Sequence, residues 1–471
     1  MKFERSLEIN DDSALLMPID NGMPTKEEKE GKPIAMPKTF TFDPRNFIHG
    51  PFRICPKCDH EKFGVVSIRR SMYTRRCRDC GHSLDFRLPE LRKKIIYLDQ
   101  FVISNLVKLK KPGTPAQEKL AADPFWQELY DLIFQLRQLQ MICCPDSWSH
   151  EEESRISNMN TDLKKMYKRL SGGNSFEQFN SIKTKQIGEI ALAWFEGREP
   201  HFNFDPRSVL SKNPDEWNER WYITFQDNPF VTKTGIQQAR QANHASVARL
   251  FTDVWAKQAH DFDYWYNLER TEYQGAIIQS FQQGQRERQK TLASIDPRQE
   301  ASMEELNKVL PSWVDGIVYS IQHMLMFPRQ GGIRPPEEQS QLLLGFLKAN
   351  RISETPFLKL QSMMYAVIAM KAAGGQREPP NEGMTTDIEN VAHLLPYCDA
   401  MFLDNECRAL MLNVPRRVKP DDAKKLYSMR VKGEFLDFLR EMRNNITVEH
   451  VQAIREVYGD DDLDGVPAAR L

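Results

Sequence analysis

Long apolar runs are what this sequence lacks most clearly. The longest, Met363–Met370, is eight residues, far short of the roughly 20 needed to cross a bilayer. The opening stretch MKFERSLEINDDS holds no apolar segment of the kind that directs export. A soluble, cytoplasmic protein with no membrane association is the expectation. Glycine (23) and proline (28) are too sparse among 471 residues for a low-complexity chain. A formal net charge of −1 excludes a chain that is basic throughout, so any affinity for nucleic acid must be local. There is no Gly-rich phosphate loop, no Walker pattern and no Ser-His-Asp elbow. What remains is ordinary globular composition, 40% hydrophobic and 27% charged, long enough for two or three domains.

Charge and cysteine are unevenly distributed. Between Pro51 and Lys111 there are 15 Lys and Arg against six Asp and Glu, a local excess of nine positive charges. A basic segment on a neutral chain suits an anionic partner. Within it, CPKC and CRDC place Cys55, Cys58, Cys77 and Cys80 in two C-x2-C pairs separated by 18 residues. Close spacing lets both sulfurs of a pair point at one ion, and four thiolates predict a structural Zn²⁺ site with no open position. Gly81 suits the left-handed turn at the end of the second pair. The intervening VVSIRRSMYTRRC alternates as a hairpin would, so residues 51–90 resemble a zinc ribbon. Arg69, Arg70, Arg75, Arg76 and Arg78 around Tyr73, with Lys93 and Lys94 beyond, are candidates for phosphate contact. Cys143, Cys144, Cys398 and Cys407 have no ligand spacing, and three of them, in apolar runs, read as small core residues.

The periodicity then predicts an α/β fold: a parallel sheet flanked by helices, with the N-terminal ribbon and a large, mainly helical insertion. Residues 1–50 read as an extended lead-in. Short apolar runs at Ile95–Leu98, 141–144, 400–403 and around 425–429 read as four buried strands alternating with helices. The first part of the core spans 91–158 and the second 384–460, with an acidic tail at 461–471. From 159 to 383 the pattern is helical, with no expected strand: a long Gln- and Arg-rich helix from Gly235 to Leu292, then Met303–Met326, Pro336–Asn350 and Phe357–Ala373. Both ends of this insertion adjoin the rim where the acids described next gather, so it is placed to cover that rim or to mediate assembly.

Ligand sites in parallel α/β sheets lie at the carboxyl ends of the strands. Asp99 follows IIYL and Asp404 follows AMFL. Helix starts share that edge, which adds Glu153 after the second strand and Asp387 before the third. Among Glu151, Glu152 and Glu153, the Ser149/Glu152 spacing of a capping box gives Glu152 a structural task and leaves Glu153. Thr386 and Glu389 suggest a second capping box. Asp399, at the opposite end of the third strand, is a further candidate because strand boundaries shift by several residues. Carboxylates gathered on one rim imply Mg²⁺ or Mn²⁺, hard ions that prefer oxygen.

The blocks IIYLDQFVISNL, CPDSWSHEEES and TTDIENVAHLLPYCDAMFLDNE resemble the motif blocks of PIN-like nucleases. The resemblance covers residues 93–158 and 380–445, and the long insertion lies outside it. It implies catalytic, metal-holding roles for Asp99, Glu153, Asp387 and Asp404, with either Asp387 or Asp399 as the third acid. It also implies metal-dependent endonucleolytic hydrolysis of phosphodiesters, in that family most often of RNA, in a toxin or antiviral defence setting that leaves room for an inhibitory or activating protein partner; RNA and DNA are not distinguished by the residues themselves. The alternative is a non-catalytic nucleic-acid-binding or scaffolding protein with an inactive core of this fold. Arg443 and His450 have the Arg-x6-His spacing of another ribonuclease class, the HEPN family, across an expected helix break. Oligomeric state is not written in the sequence.

Overall fold

The computed structural model describes residues 6–9, 44–219, 221–224, 233–295, 309–310, 312–326 and 334–460. Most of the N-terminal lead-in, the acidic tail and the first part of the 303–326 stretch lie outside them.

The centre is a four-stranded, all-parallel sheet. Its spatial order is Leu426–Tyr427, Ala400–Phe402, Lys94–Leu98, Ile142–Cys143. The two middle strands pair Ile96 with Ala400 and Leu98 with Phe402, and the Asp99 N–H continues the ladder to the Phe402 carbonyl at 3.0 Å. Strand side chains alternate between faces, and both faces of this sheet are buried. Ile96, Leu98, Ala400 and Phe402 pack with Leu106, Leu129, Ile133 and Phe435 from helices Gln100–Leu109, Pro124–Gln138 and Lys432–Asn444. Ile95, Tyr97, Met401 and Leu403 pack with Met364, Val367, Ile388 and Val391 from helices Pro356–Ala373 and Glu382–Leu394.

One face of the sheet is thus covered by helix Pro356–Ala373, from the stretch expected to be an insertion. A parallel sheet needs helices on both faces, and the first 158 residues supply one face only. The rest of the inserted stretch builds a separate core in which Ile187, Ile190, Ile277, Ile317 and Phe346 meet. The single helix expected from Gly235 to Leu292 is two, Lys233–Arg249 and Phe262–Ser294, interrupted by a π turn at Leu250–Val254 and a 3₁₀ turn. Neither glycine nor proline causes the break; Phe251 and Trp255 are drawn into the sheet's core. The inserted stretch also holds one short strand, Trp221–Thr224, antiparallel to Ser6–Ile9.

The N-terminal unit is a four-stranded antiparallel sheet of His49–Ile54, Glu61–Arg69, Met72–Cys77 and Ser83–Arg87. It docks through Val65, Ile68 and Tyr73 onto Val451, Ile454 and Val457 of helix Val448–Val457. Among the described residues no helix is long and apolar enough to cross a membrane.

Candidate metal centres and carboxylate rim

Cys55, Cys58, Cys77 and Cys80 come together, with all four sulfurs within 4.8 Å of one another. Cys55 and Cys80 sulfurs are 3.5 Å apart, and Cys58 and Cys77 sulfurs 3.6 Å. A tetrahedron with Zn–S of about 2.3 Å has edges of about 3.8 Å, so the group can hold a metal such as zinc. Burial works to raise the Cys55 thiol, yet the backbone N–H groups of Lys57 and Cys58 bring it down, while Cys58 is raised, despite the His60 N–H, by burial and the other three sulfurs. Gly81 has φ +70° directly after Cys80. The remaining cysteines are buried.

The basic residues around this unit divide by environment. Arg69, Arg70 and Arg76 are exposed. Arg75 is not available to a ligand: it is wholly buried and donates to the carbonyls of Pro51 (2.8 Å), Phe63 (2.9 Å) and Glu456 (2.5 Å). Inward alternation on its strand puts it between ribbon and helix. Arg78 is engaged by the Ile48 carbonyl and lies over the Phe52 ring. Lys93 is buried, donating to the Glu216 carbonyl at 2.7 Å and Asn218 Oδ1 at 3.1 Å. Lys94 is paired with Asp399. Arg75, Arg78 and Lys93 are thus engaged by the protein's own groups, while Arg69, Arg70, Arg76 and Lys94 stay exposed.

At the carboxyl ends of the two middle strands, Asp99 and Asp404 each cap the following helix. Asp99 Oδ1 accepts from the Phe101 N–H at 3.1 Å and Asp404 Oδ1 from the Cys407 N–H at 2.6 Å. Each cap uses one oxygen. Glu153 projects from helix Trp148–Ile156 and Asp387 from the second turn of Glu382–Leu394. The charges of the four act on one another across the carboxyl edge of the sheet. Burial, then Glu153 and Asp404, pushes Asp99 up to about 7. Burial, then Asp99, Asp404 and Glu153, pushes Asp387 up to about 10. Without a cation these neighbours hold protons that isolated carboxylates would release. Cys407 lies against the same acids, its thiol driven far upward by burial and by Asp387, Asp404 and Asp99. Among the described residues only the cysteines bring three or more ligand atoms all within 4.8 Å; no three of the acids do. A cluster of carboxylate oxygens suits a hard divalent ion.

Asp399 does not join them. Its Oδ1 takes the Lys94 ammonium at 2.8 Å and its Oδ2 the Ile95 N–H at 2.9 Å, at the amino end of the strands. The two expected capping boxes are also displaced. Helix Trp148–Ile156 is boxed by Ser147 and His150 rather than by Ser149 and Glu152, and Glu152 instead accepts from the Trp148 indole at 2.9 Å. Helix Glu382–Leu394 starts earlier than expected. Its cap is Asn381, whose Oδ1 accepts from the Met384 N–H at 2.9 Å, so Thr386 and Glu389 sit inside the helix.

Three features of the rim have no sequence signal. His150 is buried and stacked between Tyr97 and Tyr167, with centroids at 5.0 and 5.2 Å; burial lowers it to about 4, so it is neutral. Ser147, Ser149 and Asn390 form a buried hydrogen-bond chain that ties helix Trp148–Ile156 to helix Glu382–Leu394. Arg240, from helix Lys233–Arg249, reaches Glu153 Oε1 at 3.3 Å and Glu152 Oε2 at 3.8 Å. Each is a polar residue in a polar stretch, where no spacing marks it. Arg443 and His450 point elsewhere: they bond Gln135 Oε1 (3.3 Å) and the Leu139 carbonyl (2.6 Å), bracing a helix end.

No family model, curated protein or solved structure matches this chain.

Proposed function

We propose that the chain is a divalent-metal-dependent endonuclease, acting on RNA, with a PIN-like core. The observation that carries this reading is the meeting of Asp99, Glu153, Asp387 and Asp404, from four separated elements, at the carboxyl edge of a parallel sheet. Placing four carboxylates together costs stability unless they serve a cation. A Mg²⁺ or Mn²⁺ ion held by these four would supply an activated water and counter-charge for the phosphorane-like transition state. The chain's own contribution is placement. The caps at Asp99 and Asp404 each fix one carboxylate oxygen on a backbone N–H, at 3.1 and 2.6 Å. The Ser149–Asn390 contact sets the separation of the helices bearing Glu153 and Asp387. Neutral His150 and the tyrosines around it keep that side of the site free of competing positive charge. Arg69, Arg70 and Arg76 extend a basic surface over which an RNA backbone can run, with affinity that falls steeply as salt rises.

The test is cleavage of defined RNA and DNA with Mg²⁺ or Mn²⁺, with and without EDTA. Asp99→Asn and Asp404→Asn should lower cleavage by at least about a hundredfold, the scale of losing one charged catalytic ligand, while RNA binding persists. Equal cleavage by wild type and Asp99→Asn, or indifference to EDTA, would overturn the reading.

A further inference from the structure

We propose that Arg240 is the phosphate-binding residue of this rim, delivered to it by the inserted helix; the inference rests on the nuclease reading above. Carboxylates that attract a metal also repel an RNA phosphate, so a phosphate that approaches them is helped by a fixed cation close by. Arg240 is that cation. Helix Lys233–Arg249 packs against both Trp148–Ile156 and Glu382–Leu394, the helices that carry Glu153 and Asp387. His244 Nε2 lies 3.1 Å from the Pro380 carbonyl, anchoring the helix just ahead of the Asn381 cap.

The guanidinium is under-used where it stands. It has five N–H donors. Its hydrogen bond to Glu153 is long at 3.3 Å, its approach to Glu152 is longer still, and its buried Nε–H has no hydrogen-bond partner. A buried donor without an acceptor is costly, and at Arg240, unlike at Arg75 or Arg443, it stands beside the acids of the rim. When Glu153 turns its charge to a metal, Arg240 loses its hold and keeps its position. Its planar fork then matches two non-bridging oxygens of a phosphodiester, which a lysine cannot do. Glu153 thus serves as a placeholder that keeps the guanidinium aimed at the rim until substrate binds.

Binding of a labelled single-stranded RNA is measured over a salt series in an Asp404→Asn background, where the RNA stays intact, with Mn²⁺ binding measured by calorimetry and kcat and KM in the otherwise native chain. Arg240→Ala and Arg240→Gln should weaken RNA binding about tenfold and reduce the salt slope by about one. Both should lower kcat/KM by at least the same factor, with Mn²⁺ affinity unchanged or tighter because Glu153 is released. Arg240→Lys should restore the salt slope but not kcat. Thermal unfolding identifies any variant that fails to fold, and Arg240→Gln, which retains hydrogen bonding, serves where Arg240→Ala does not. Unchanged RNA binding and kcat/KM would overturn the proposal, as would loss of Mn²⁺ affinity with RNA affinity intact, the signature of a purely structural partner for Glu153. A wild-type chain that neither takes up Mn²⁺ nor cleaves would instead remove the nuclease reading itself.

Discussion

Asp387 and Asp99 bind protons in the folded chain that they would release when unfolded. Their folded values lie above the unfolded ones, so they stabilise below about pH 4 and that contribution is lost as pH rises. The loss runs through about 7 for Asp99 and on towards about 10 for Asp387. A divalent ion competes with those protons and offsets the repulsion that replaces them. The rise in melting temperature on adding Mn²⁺ should therefore be larger at pH 8 than at pH 6, and small in Asp99→Asn/Asp387→Asn. Differential scanning fluorimetry of metal-free and Mn²⁺-loaded protein at the two pH values checks this; an increment independent of pH would mean that these acids do not face the ion. At this scale the sequence is informative where a side chain follows from backbone position. Asp99 and Asp404 are legible because each directly follows an apolar run. Arg240 is not, because its meaning lies in what its helix packs against, and GIQQARQANHAS contains nothing to distinguish one arginine from another.

Among elements, the joint between the ribbon and helix Val448–Val457 turns on Arg75. Its guanidinium serves three carbonyls and lies 3.8 Å from the Glu456 carboxylate, beside Tyr73. Arg75→Met keeps the bulk and orphans all three acceptors. At about 1 kcal/mol or more for each buried group left unpaired, the joint should lose about 2–4 kcal/mol. Hydrogen exchange should quicken in 448–457 and in Met72–Cys77, and if the four cysteines hold a metal, chelating it should produce the same pattern by loosening that end of the sheet. Slow exchange in 448–457 under both conditions would show that the helix holds without the ribbon. Strands are the most legible elements, since an apolar run buried on both faces has few alternatives. Helix starts are less so. Ser147 and Ser149 are both acceptable caps, and the choice falls to Ser147 because His150 Nδ1 accepts its N–H at 3.1 Å, a pairing that the Ser–Glu template does not contain.

At the scale of the molecule, the 159–383 stretch has two roles that its composition does not separate. Helix Pro356–Ala373 completes the sheet's core, while Ile190, Ile277, Ile317 and Phe346 form a core of their own. Both are helical and apolar by the same periodicity, so which one faces the sheet is decided by packing and not by pattern. A substitution such as Met364→Ala should therefore behave as a core mutation of the unit that carries the rim. It opens a cavity at a fully buried position and should cost about 2–5 kcal/mol, measured by urea unfolding, with cleavage lost in proportion to the unfolded fraction.

The two middle strands of the sheet are neighbours in space, yet residues 98 and 400 lie far apart along the chain. On a ribosome, the strand ending at Asp99 emerges long before its partner exists, and the sheet cannot close until Ala400–Phe402 has been made. An interrupted product that stops short of Ala400 has neither a complete rim nor the second of the two partners of its strand Lys94–Leu98. On the nuclease reading, such a fragment would be harmless to RNA and a ready substrate for proteolysis. A cell that translates this message would then meet cutting activity only once synthesis has passed the last of the four acids.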